Sequence, residues 1–241
     1  MGHRNVVELA ASVSAGPIGI LFDHDGVLVA MNRARLVRQV LEIVPILEGD
    51  LAARWMGWLG GRALSDTLGE EEAVAAFLDE LATTAMLGRA ARRRLLTLGL
   101  VQCARAFDDA PAALREAKRR GLRVGVLSHD WLGPARMLDA VGLGKYFDVA
   151  LSRRRNGAAE PDVRAYRAAA AQLGIAEDRC LFLDDRHERV EAARALGMVA
   201  WRVDRSRAEH DLDERVVRDL SALPRILDRW VDRAGTAPTR A

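Results

Sequence analysis

The stretch from Ile18 to Leu28, IGILFDHDGVL, constrains the fold most. It is an apolar run, rich in β-branched and aromatic residues, that stops at two carboxylates one residue apart followed by a glycine. A buried strand rising about 3.3 Å per residue and ending at Asp23 delivers that carboxylate to the rim of a sheet, and a turn at Gly26 folds Asp25 back beside it. One carboxylate of such a pair can attack an electrophile or hold a cation. Its neighbour, pushed toward the protonated form by like charge, can move protons. Taken alone, the same stretch also reads as an acidic strand-to-loop turn without chemistry, so the choice falls to the rest of the chain.

Between Met31 and about Leu100 the chain reads as helix. Ala, Leu, Arg and Glu dominate, and apolar residues recur at three- and four-residue steps, as in Leu36, Val37, Val40, Leu41 and Val44. Pro45, Gly49, Gly57, Gly60, Gly61 and Gly69 divide it into short helices. From Asp108 to Arg120 the pattern predicts a helix with acidic residues and Pro111 early, basic residues late and Gly121 after its end. Strand-like stretches at 122–128, 147–152, 180–185 and 198–203 then alternate with helical ones at 134–141, 161–173 and 188–196. A closing helix is expected over about 211–231, with a possible interruption at Pro224. The alternation implies an α/β fold, a Rossmann-like parallel sheet with helices on both faces. The expected organisation is a core domain from residues 1–28 and 101–241 with a helical cap domain at 29–100.

In such sheets ligands bind outside the carboxyl ends of the strands. If 18–22, 123–127 and 180–183 are parallel neighbours, one rim gathers Asp23, Asp25, Ser128, Asp184 and Asp185. Those carboxylates would repel one another unless a hard dication neutralised them, and Mg²⁺ takes such oxygen ligands together with water and substrate phosphate. The hydroxyl of Ser128 is placed to hydrogen-bond a phosphoryl oxygen. Other function classes fit poorly. The 36 basic and 34 acidic residues are interspersed, which is no footprint for nucleic acid. No apolar run approaches the ~20 residues of a membrane span, and no signal-peptide pattern opens the chain, so a cytoplasmic protein is expected. Cys103 and Cys180 lack metal-type spacing and read as buried small apolar residues. Oligomeric state is not legible.

At these residues the sequence resembles the haloacid dehalogenase superfamily, in particular its phosphatase-like members with a helical cap inserted after the first motif. DHDGVL at Asp23 to Leu28 is similar to the first family motif, VLSHD at Val126 to Asp130 to the second, EPDVRAY at Glu160 to Tyr166 to the third, and LFLDDRHERVEAARALGM at Leu181 to Met198 to the fourth. The resemblance implies that Asp23 is a nucleophile forming an aspartyl-phosphate and a Mg²⁺ ligand. By the same resemblance, Asp25 is the general acid/base and gives the metal its backbone carbonyl, Ser128 binds phosphate, and Asp185 ligates Mg²⁺ with support from Asp184. The substrate would be a small phosphorylated metabolite. Dehalogenating members lack a carboxylate at the position of Asp25.

Two residues depart from the family pattern. Glu160 stands where a lysine normally precedes Pro-Asp and bridges the nucleophile and the transferring group, and Arg189 stands where many relatives carry an aspartate. A compensating cation is sought in Arg153, Arg154 or Arg155, with Arg155 taken as a substrate contact. Failing that, the chain is a non-hydrolytic binding protein. Of the histidines beside motif residues, His129 and His187 are candidates for substrate contact, with His129 preferred, whereas strand alternation turns His24 away into loop packing. Trp55 and Trp58, three apart, read as cap core.

Overall fold

The apolar run becomes β1, Gly19–Phe22, with all four residues buried. The computed structural model describes residues 18–61, 70–128, 134–152 and 163–234. In chain order the remaining strands are β2 (Val29–Met31), β3 (Ala104–Ala106), β4 (Arg123–Ser128), β5 (Val149–Ser152), β6 (Cys180–Asp184), β7 (Val199–Val203) and β8 (Val216–Val217). The helices are α1 (Arg33–Leu41), α2 (Glu48–Gly61), α3 (Glu70–Thr84), α4 (Arg89–Leu95), α5 (Ala110–Arg119), α6 (Pro134–Ala140), α7 (Val163–Leu173), α8 (His187–Ala195) and α9 (Leu223–Ala234).

Six strands form one parallel sheet in the order β5-β4-β1-β6-β7-β8. The expected neighbours are therefore neighbours: β1 lies between β4 and β6, with Phe22 paired to Val126 on one side and Leu183 on the other. Side chains alternate across the sheet, and both faces are covered. Ile20, Phe22, Leu181 and Leu183 face α5 and α9, while Leu21 and Phe182 face α7 and α8. Helices on both faces are why these strands read as unbroken apolar runs rather than alternating ones. Tyr166 of α7 is fully buried and meets the ring of Phe182 edge to face at a centroid distance of 5.2 Å.

The chain enters and leaves its helical insert through a small antiparallel ribbon in which β2 pairs with β3. Between these strands α1 to α4 enclose a further apolar cluster, including Val40, Val44, Phe77, Leu78 and Leu81, which Met137 of α6 joins. Trp55 packs edge to face on Phe77 within it, whereas the side chain of Trp58 lies outside the described residues. Cys103 and Cys180 are buried thiols, and burial pushes that of Cys180 up to about 12. Among the described residues no helix is long and apolar enough to cross a membrane.

The tail corrects the sequence reading. The sequence pattern extends the closing helix back to about 211, but α9 begins at Leu223, with Pro224 inside its first turn, where the missing N–H is harmless. Upstream, the Asp211 carboxylate accepts the N–H groups of Asp213 and Glu214, and that of Asp219 accepts Ser221 N–H. Such side-chain turns compete with helix, and the segment between them adds β8 to the sheet instead. At α5, Gly121 follows the helix as expected, with φ at +74°. Asp109 precedes the helix without capping it by its side chain, because its carboxylate is engaged elsewhere.

Phe182 is fully buried and its ring fills the space between β6 and α7, so Phe182→Ala is expected to lower unfolding free energy by about 3–5 kcal/mol. Urea denaturation followed by circular dichroism checks this.

Candidate active site

Asp23 extends the β1–β6 ladder by one residue, its N–H donating to Leu183 O at 2.8 Å. Asp184 ends β6 and Asp185 follows it, so carboxylates from two adjacent parallel strands emerge at the same rim. One oxygen from each of Asp23, Asp184 and Asp185 lies within 4.8 Å of the others. Asp23 and Asp184 are buried and Asp185 is partly exposed. Burial, and then the charge of Asp184, raises the Asp23 carboxyl well above its usual range, while Arg189 pulls it back. The same causes in the same order push Asp185 up to about 6. These carboxylates thus hold protons more tightly than solvated ones. A hard dication would relieve the same repulsion, and three carboxylate donors form an oxygen set that suits such an ion.

The loop after Asp23 closes on itself. Leu28 N–H and Val29 N–H both donate to His24 O at 3.0 Å, and Gly26 N–H donates to Val29 O at 2.9 Å. Gly26 takes φ +84°, and a Cβ there would stand 2.6 Å from Asp185 Oδ2, so the glycine both makes the turn and leaves room for a site carboxylate. His24 is buried, in keeping with loop packing. From beyond β7, Arg205 donates to Gly26 O at 3.0 Å and Val27 O at 2.7 Å, grips Asp109 with both terminal nitrogens, and lies 3.5 Å above the Phe107 ring. Asp109 also accepts Leu220 N–H at 2.6 Å, which is the engagement that diverts it from capping α5.

Asp25 stands beside this cluster rather than in it, its carboxylate accepting from Arg33 Nη1 at 2.9 Å, the first residue of α1. Ser128 is buried at the end of β4, in register with Ser152. Arg189, in the first turn of α8, brings Nη1 to 3.8 Å from Asp23 Oδ1 and 3.8 Å from Asp184 Oδ1. The Asp184 carboxylate meanwhile accepts Arg186 N–H at 2.8 Å and so fixes the start of that helix. The structure therefore brings Asp23, Asp184 and Asp185 together and sets Asp25 and Ser128 on the flanking segments. His129, Arg155 and Glu160 lie outside the described residues. No sequence signal points to Arg33 or Arg205, because nothing in the spacing ties an isolated arginine to this turn.

The fold is thus a Rossmann-like parallel sheet with an acidic strand-end cluster and a helical insert between β2 and β3. The chain belongs to the haloacid dehalogenase-like hydrolases, whose family profile matches residues 19–197. Over nearly its whole length it is similar to Phosphatase MT3486 of Mycobacterium tuberculosis (strain CDC 1551 / Oshkosh), with 42% identity across 211 residues, 87% of this chain and 96% of that protein. Solved structures with the same fold include a HAD phosphatase from Thermococcus onnurineus, at TM-score 0.58 and 18% identity over 87% of this chain and 97% of that one. Another is a 2-haloacid dehalogenase from Pseudomonas syringae pv. Tomato DC3000, at TM-score 0.65 and 17% identity over 89% of this chain and 100% of that one. The fold is thus common to both chemistries, and the site must distinguish them.

Gly26→Ala would strain a left-handed turn and press on Asp185, so it is expected to lower the melting temperature and to weaken any divalent-cation binding at the acidic cluster by roughly 10-fold or more. Thermal melts with and without Mg²⁺ and calorimetric metal titration measure both effects.

Proposed function

We propose that this hydrolase is a Mg²⁺-dependent phosphatase that cleaves a small phosphorylated metabolite through an aspartyl-phosphate on Asp23. The observation that carries this reading is the convergence of Asp23, Asp184 and Asp185 at the ends of β1 and β6, with Asp25 two residues beyond the first. The likeness to Phosphatase MT3486 supports the same chemistry, and the carboxylate at Asp25 supports phosphatase over dehalogenase.

An Asp23 carboxylate oxygen forms a bond to phosphorus as the bond to the substrate oxygen breaks, and Asp25 gives that leaving oxygen its proton. Asp25 then takes a proton from water, which attacks the phosphoryl group on Asp23, releasing phosphate and restoring both carboxyls. Ser128 steadies a phosphoryl oxygen through its hydroxyl, and His129 and Arg155 complete the substrate contacts. Mg²⁺ held by Asp23, Asp185 and the Asp25 carbonyl, with Asp184 in support, would supply the positive charge that offsets the phosphoryl oxygens. Residues 29–100 act as a cap over the rim of a core formed by 1–28 and 101–241, excluding water during transfer. The reaction takes place in the cytoplasm.

Release of p-nitrophenol from its phosphate ester tests the reading. Activity is expected with Mg²⁺ and is abolished by chelator. Asp23→Asn should remove turnover while leaving the fold intact, and retention of more than a few per cent of wild-type activity would sink the mechanism. Asp25→Asn should lose roughly 10²–10⁴-fold in kcat while keeping Mg²⁺ and orthophosphate binding. A wild type that binds both but turns nothing over would be a binding protein instead.

A further inference from the structure

We propose that Arg189 is the cation against which the transferring phosphoryl group is held, a role that rests on the phosphatase reading above. Its side chain is only 11% exposed, and Nη1 faces Asp23 Oδ1 and Asp184 Oδ1 at 3.8 Å each. Both separations exceed hydrogen-bond length, so through this nitrogen the guanidinium acts on the two carboxylates as a field. A phosphoryl group transferred to Asp23 forms inside that field. The position is preorganised from several directions. Asp184 holds Arg186 N–H at the start of α8, Arg189 N–H donates to Arg186 O, and the buried Tyr166 directs its hydroxyl to Arg189 O at 3.4 Å. An arginine kept in place before substrate arrives needs no rearrangement as charge moves.

The charge balance favours this role. With Asp23, Asp184 and Asp185 ionised, one guanidinium leaves two negative charges, which is what a single divalent cation neutralises. Among these four described side chains the charge then sums to zero once the dication is bound. Without Arg189 the three carboxylates would keep one uncompensated negative charge toward an incoming phosphate ester. The sequence shows a matching exchange: position 160, where the resemblance expects a lysine, is Glu, and position 189, where it expects an acid, is Arg. The two reversals have opposite sign and leave the summed charge of the two motifs unchanged.

Calorimetric titration of orthophosphate at saturating Mg²⁺, titration of Mg²⁺ alone, and p-nitrophenyl phosphate kinetics on wild type, Arg189→Gln and Arg189→Lys test the role. In Arg189→Gln, orthophosphate affinity is expected to fall roughly 30-fold and kcat/KM roughly 10²–10³-fold, with Mg²⁺ affinity unchanged or higher. Arg189→Lys keeps the charge and should retain orthophosphate affinity within about 10-fold. A merely structural arginine predicts no such split. Phosphate affinity within about threefold of wild type in Arg189→Gln, or an equal loss of Mg²⁺ affinity, overturns the proposal. If Arg189→Gln fails to fold, Arg189→Lys decides, and a loss of orthophosphate affinity beyond about 30-fold there overturns it. Absence of turnover in the wild type would overturn the hydrolysis reading alone, because the orthophosphate affinities still report on Arg189.

Discussion

Three ionised carboxylates held within 4.8 Å repel one another, and at an effective dielectric near 20 each pair at about 4 Å costs on the order of 4 kcal/mol. A domain whose whole stability is about 5–15 kcal/mol tolerates this only with countercharge or protons at hand. Parallel pairing is what forces the crowding. Because β1 and β6 run side by side in the same direction, residues that continue each strand must exit together at the rim. The buried sheet fixes their backbones, and Arg189 and the raised carboxyls answer the charge that results.

The same economy governs the turn behind the cluster. Its carbonyls at Gly26 and Val27 are taken up by Arg205, whose guanidinium also stacks on Phe107 and pairs with Asp109. One planar fork therefore joins the first loop, the start of α5 and the segment after β7. An aspartate that local rules assign to a helix cap serves this junction instead.

What the sequence discloses follows the range of the forces involved. Strands buried on both faces announce themselves as apolar runs, so β1, β4 and β6 and their adjacency are legible, and with them the meeting of Asp23, Asp184 and Asp185. The helices α5 to α8 start and stop within a few residues of their sequence signals. Shorter elements escape. The strands of the β2–β3 ribbon have three residues each and β8 has two, too few for any period to register, and the turns around Asp211 and Asp219 depend on side chains that also suit a helix. Arg189 is legible only as a departure from a family pattern, because the neighbour that gives it meaning, Asp23, lies far away along the chain at the end of β1. The pairing of Asp25 with Arg33 was equally hidden, since spacing says nothing about which way a loop carboxylate turns.

The β2–β3 ribbon has a consequence for how such a chain can change over time. Met31 and Ala104 are direct partners in it, so everything between them begins and ends at one place. A tight hairpin would bridge the same gap and leave every strand pairing of the large sheet untouched. The backbone thus passes between the large sheet and the helical insert at this ribbon alone. Helices of another length or composition could stand between those two strands without disturbing the parallel pairings that bring Asp23, Asp184 and Asp185 together.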